Sequence, residues 1–163
     1  MKLYGLTWDD DAIDGVHFGQ RFKRGEGYNK IFSIWDKYEL GTDQILVGFE
    51  PDREHCFCLA RGLEPYQIAE RFRLGTHNQM TDKLAKRCAR NFKRLYKRYP
   101  YRVYFADQAG MKVKFLDPIT IEDADWIEKN VYNSDEIYNL REDENWRPAP
   151  HFVREQGLQV WFD

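Results

Sequence analysis

Cys56 and Cys58, with His55 beside them, are the residues best suited to ligate a soft metal or supply a thiolate. On a strand, Cys-x-Cys puts both sulfurs on one face. A closed metal site needs three or four ligands, with cysteines usually two to four residues apart. Cys88 and His77 stand alone, and there is no second cysteine pair. Free cysteine is among the most buried residue types, so burial is the favoured reading. A nucleophilic cysteine assisted by His55, His77 or His151 would require contacts that spacing alone does not supply.

Two acidic groups could hold a hard cation. Asp9, Asp10, Asp11 and Asp14 form an acidic turn closed by Gly15, without the EF-hand spacing, and a solvated turn or a negative surface for a basic partner is favoured. Glu122, Asp125 and Glu128, with Lys129 adjacent, suggest nuclease-like carboxylate chemistry. Two-metal catalysis, however, needs carboxylates converging from separate elements. Acids in a first helical turn are explained by the helix dipole alone.

The fourth group is cationic. Between Lys83 and Arg102 lie nine basic residues and no acidic one. Such a run could contact phosphates, and Tyr96, Tyr99, Tyr101 and Tyr104 interleave aromatic rings with it, as single-strand binders require. Yet the same stretch has a helical period. Leu84, Cys88, Phe92, Leu95 and Tyr99 recur at steps of four, four, three and four. The spacing predicts a helix over 81–99, stopped by Pro100, with one packed face and a rigid basic ridge. From Asp117 to Glu144 the balance reverses, with ten acidic residues against two basic ones. Whether the two blocks face each other or face partners is the main functional question.

The elements around these residues are read from alternation and punctuation. Strands are expected at Lys2–Trp8, at Val16–Phe22 with Val16, Phe18, Gln20 and Phe22 on one face, and at Lys30–Trp35. A hairpin is expected from Gln44–Glu50 and His55–Arg61, with Cys56, Cys58 and Ala60 opposite Phe57 and Leu59. Pro65 opens a short helix that ends at Gly75. Tyr101–Ala106 and Met111–Leu116 form a second hairpin. Thr120 caps an acidic helix bearing Ile121, Ala124, Ile127, Glu128 and Val131. Asn133–Pro150 is polar and turn-rich, and Leu158–Phe162 is a closing strand. The fold class is therefore α+β: one domain with a mainly antiparallel sheet on which a long helix and two shorter helices pack. Any subdivision falls near 62–80, between a β-rich first half and an α/β second half.

Several second-half features resemble a known family. They are Arg98-Tyr99 at a helix end, the hairpin, Pro118 leading into an acidic helix, Asp135 soon after Tyr132, and Trp161 to Asp163 at the end. The region from about residue 90 to 163 resembles the C-terminal part of the bacterial domain of unknown function 4253 family. Asn133-Ser134-Asp135 stands where that family has Cys-Pro-Asp. The resemblance implies half of a fold and no activity.

The chain has 163 residues, 42% hydrophobic and 32% charged, with a net charge of −2, a globular rather than disordered composition. No apolar run approaches the ~18 residues of a membrane span. The first residues lack the apolar core of a signal peptide. Three cysteines and no secretory signal point to reduced thiols in a cytoplasm. No cofactor or metal is expected, nor any membrane contact. The expected function is a non-enzymatic, protein-binding module that neutralises or inhibits a partner, as bacterial toxin-immunity proteins and phage anti-defence inhibitors do. Its partner-binding residues would be Lys83, Arg87, Arg90, Arg94, Arg98, Glu122, Asp125 and Trp146. The alternatives are a nucleic-acid-binding protein using the basic helix 83–102, and a metal-dependent hydrolase or nuclease.

Overall fold

A computed structural model describes residues 1–23, 25–49, 54–74, 82–132 and 147–161. The expectations for Gly75, His77, Asn133–Trp146 and the last two residues lie outside that set. The fold is α+β. Strands β3 (Val16–Arg21), β4 (Gln44–Phe49), β5 (His55–Ala60), β6 (Tyr101–Ala106), β7 (Gly110–Phe115) and β8 (Gly157–Trp161) form one sheet in the order β3-β5-β4-β6-β7-β8. Its pairings are antiparallel except β4 with β6, where Val47 opposes Phe105.

The sheet separates two cores because its strands alternate. Leu46, Cys56, Cys58, Ala60, Tyr101, Val103, Met111, Val113, Leu158 and Val160 point to one side. That side is covered by α2 (Ile68–Arg71), α3 (Asp82–Arg98), α4 (Ile121–Ile127) and α5 (Ala149–Glu155). Ile45, Val47, Phe57, Leu59 and Phe105 point to the other, where α1 (Tyr28–Lys37) and the N-terminal residues Leu6 and Trp8 cover them. The predicted split of Cys56, Cys58 and Ala60 from Phe57 and Leu59 is thus the boundary between the cores.

Four elements differ from the sequence reading. The stretch 30–35 is helical, as part of α1. Its aromatic and β-branched residues resemble a strand, but Ile31 and Ile34 are three apart and both buried, a helical spacing. Lys2–Trp8 is a tight hairpin of β1 (Lys2–Leu3) and β2 (Leu6–Thr7) rather than one strand. Tyr4 and Gly5 turn it with φ of 56° and 73°, the left-handed pair that a two-residue hairpin requires. In β3 the pairing shifts register between Phe18 and Arg21, so Phe22 joins the opposite core from Val16 and Phe18, against Phe57. Finally, α5 starts within a stretch read as turn. Pro148 and Pro150 sit at its N-cap and in its first turn, where a missing N–H costs nothing.

The α1 assignment is tested by Ile31→Ala and Ile34→Ala. Each is expected to cost about 2–5 kcal/mol in denaturant unfolding. A strand would turn one of the two toward solvent, so a near-neutral result at either position would contradict the helix.

Candidate partner-binding surface

Three of the five apolar residues on α3, Cys88, Phe92 and Leu95, are buried, while Leu84 and Tyr99 pack partly buried against the same core. The Tyr101 hydroxyl donates to the Phe92 carbonyl at 3.0 Å from the strand beneath, and burial holds that phenol protonated well above its ordinary range. The helix is therefore fixed in rotation, and the direction of each cation follows.

The cations fall into groups. Lys93 lies over the Tyr66 ring at 5.4 Å. Arg94 and Arg98 turn to the other flank, toward α4. The Arg98 guanidinium lies over the Trp126 ring at 4.5 Å and Arg94 at 5.6 Å, while Arg94 also donates to the Asn130 carbonyl at 2.7 Å. Arg87 is exposed on the same flank. Lys83, Lys86, Arg90 and Lys97 are exposed and form no ion pair with the described residues. At ~100° per residue these four fall within an arc of about 60°, opposite the buried stripe, and run about 21 Å along the axis.

The basic and acidic blocks therefore meet, through an aromatic ring and a hydroxyl. Trp126 packs edge-on to Tyr99 at 5.6 Å. The Tyr99 hydroxyl donates to Asp123 at 2.9 Å and accepts from Arg98 Nε at 3.1 Å. Asp123 is also the third residue of the Thr120 capping box: Thr120 N–H donates to its carboxylate at 2.9 Å, and its own N–H donates to Thr120 Oγ1 at 3.3 Å. The Thr120 backbone bond, ahead of Tyr99 and the Arg98 charge, holds the Asp123 carboxyl below its ordinary range, although partial burial opposes this.

The remaining expected site residues separate. Glu122 is exposed in the first turn of α4. Asp125 is exposed as well, and Arg147 donates to it at 2.7 Å and to the buried Glu128 at 3.2 Å. Glu128 also accepts from the Ala149 N–H at 3.3 Å, which ties α5 to the end of α4. Ile121, read as part of the apolar stripe, is exposed. Trp146 lies outside the described residues.

Sequence reasoning missed Trp126, Asp123 as a bridge to α3, and Arg147. Thr120-x-x-Asp123 was a usable signal for the cap, but the partners on α3 and at residue 147 are non-local.

Arg147 thus holds Asp125 and Glu128, and Thr120 and Tyr99 hold Asp123. Among the described residues no three His, Cys, Asp or Glu side chains are placed to hold a metal ion. Cys56, Cys58 and Cys88 are all buried. The Cys56 and Cys58 sulfurs are 3.9 Å apart, and the Cys56 thiol contacts the Gly48 carbonyl at 3.7 Å. In the acidic turn, Asp10 pairs with the Met1 amino group at 2.6 Å. Among the described residues no helix is long and apolar enough to cross a membrane. No family model, curated protein or solved structure gives a significant match to the chain.

Asp123 sets a pH test. Its lowered carboxyl stabilises the fold above the ordinary aspartate range near ~3.9, and that contribution is lost as pH falls through the lower folded value. Asp123→Asn is expected to destabilise at pH 7, by about 1 kcal/mol as for other lost caps. The gap from wild type should narrow below about pH 4. A gap independent of pH would show that the carboxylate charge is not what matters.

Proposed function

We propose that the protein is a non-enzymatic binding module whose α3 ridge docks on an acidic surface of a protein partner. The observation that carries this reading is the stripe of Lys83, Lys86, Arg90 and Lys97. These four cations are exposed, lie in one row opposite the core, and sit on a helix whose flanking cations are already used as anchors. The helix that carries them is fixed on the core, so its backbone needs no further ordering when a partner binds, which favours a shape-specific contact. Arg94 and Arg98 act as supports for the ridge, and Arg87, Arg90 and Lys83 belong to its contact surface. Glu122, exposed in the first turn of α4, adds an acidic point that orients the partner. A module of this size seated over a functional acidic patch would neutralise its partner by covering it, as an immunity or anti-defence inhibitor does.

The nucleic-acid reading of α3 loses support from its tyrosines. Tyr96 packs at 5.5 Å from Tyr66 and 5.2 Å from Tyr101, and Tyr99 at 6.3 Å from Phe115, all on the core side of the helix. The ridge itself presents charge without rings for bases to stack on.

Arg90→Glu with Lys97→Glu is expected to leave unfolding within about 0.5 kcal/mol of wild type, because both residues are exposed. Affinity for the partner that co-purifies with wild type should fall at least about ten-fold, mostly through slower association. Unchanged affinity and salt dependence in the double variant would remove α3 as the docking surface.

A further inference from the structure

The rings that the α3 ridge lacks lie on the opposite side of the sheet. There, α1 covers the central strands as far as β6. Beyond it the outward side chains of β6, β7 and β8 form the surface. A register shift between Val103 and Phe105 places both Tyr104 and Phe105 on this side. Arg102 opposes Lys114 across the β6–β7 pair, and Lys112 opposes Gln159 across β7–β8. Trp161 crosses Gly110, where a Cβ would approach the indole to 2.4 Å, and stacks near-parallel to Phe105. No acidic residue occupies an outward position on these three strands.

Cations and rings are interleaved here. Lys112 Nζ is 4.8 Å from the Tyr28 ring centroid and 5.6 Å from that of Phe105, and it donates to the Tyr28 hydroxyl at 3.1 Å. Arg102 lies over Trp35 at 5.9 Å. Tyr104 stands edge-on to both Tyr28 and Phe32. At the Gly157 end the face dips into an open depression of about 250 Å³, lined by Tyr104, Lys114, His151, Glu155 and Gln159 among others. Lys114 reaches back to the Glu155 carbonyl and lies 4.0 Å from its carboxylate, whereas Arg102 and Lys112 contact rings and the Tyr28 hydroxyl.

We propose that this sheet face binds single-stranded nucleic acid. The chemistry is complementary: Arg102, Lys112 and Lys114, two residues or one strand apart, suit a phosphate chain, and the partly buried rings of Tyr104 and Trp161 beside them offer π-surface to unpaired bases. The antiparallel β6–β7–β8 surface lets successive nucleotides lie side by side, whereas a duplex keeps its bases stacked away from the rings. The inference does not depend on the α3 reading, because the two surfaces lie on opposite sides of the sheet.

The test is fluorescence anisotropy of a labelled oligodeoxythymidylate titrated with the protein at increasing salt, with the tryptophan emission recorded in parallel. Binding is expected at low salt with quenching, and three phosphate contacts give a log–log salt slope of about −2. Arg102→Gln with Lys112→Gln should flatten that slope by about 1.4. Trp161→Leu should weaken binding by roughly ten-fold without changing the slope. Arg90→Glu with Lys97→Glu on α3 should leave it unchanged. Thermal melting verifies that each variant is folded, and Arg102→Gln alone serves if the pair is not. No binding by folded wild type at low salt would overturn the proposal. So would equal loss in the α3 variant, or competition by duplex DNA or polyglutamate as effective as by the single strand.

Discussion

The constraint on which the rest of the structure depends is burial on both faces of the central strands. Gln44 to Gly48 and His55 to Ala60 are buried at every position, so neither side of β4 or β5 faces water. Two covering layers must follow. The first is the helical layer led by α3, and the second is α1 with the N-terminal hairpin. The Tyr4 hydroxyl helps fix the second by donating to the buried Asp43 at 2.7 Å, and Arg61 approaches the same carboxylate at 3.5 Å. Trp8 lies across Gly19, where a Cβ would meet the indole at 2.9 Å.

The outer strands β6 to β8 escape half of that constraint. Their inner positions are as apolar as those of β4, while their outer positions carry lysine, arginine, glutamine and aromatic residues. Both proposed binding surfaces come from this asymmetry. The covered side supplies the bed that fixes α3 and hence the direction of its ridge. The side beyond α1 is left with rings that are only partly enclosed and cations drawn over them. Trp126 has the corresponding role between helices: its ring accepts Arg94 and Arg98 on one flank of α3, which leaves the outermost cations without partners among the described residues.

How much of this was legible depended on whether the governing interaction was local. The α3 stripe, the two hairpins, the Thr120 cap and the division of β5 between two faces follow from periodicity and turn chemistry within a few residues, and all are present. The stretch 30–35 misled because Ile31, Phe32, Ile34 and Trp35 have strand-like side chains. Its helical state is decided by the second core, which only the assembled sheet creates. The start of α5 was hidden by two prolines that are harmless at a helix start. Glu128, which interrupts an apolar stripe, is explained by Arg147 and the Ala149 amide, some twenty residues away. Among the expected binding residues, Lys83 and Arg90 stand on an open ridge. Arg94, Arg98 and Asp125 prove to be held by their neighbours, a distinction that charge patterning cannot make.

The central claim is that α3 is a clamped ridge rather than a loosely attached basic arm. Native-state hydrogen exchange of its backbone amides addresses this directly. For residues 88–98, over Cys88, Phe92 and Leu95, exchange is expected only through global unfolding, with the same free energy and denaturant dependence as the amides of β4 and β5. Exchange of those α3 amides through a low-energy opening, while β4 and β5 stay protected, would contradict the account.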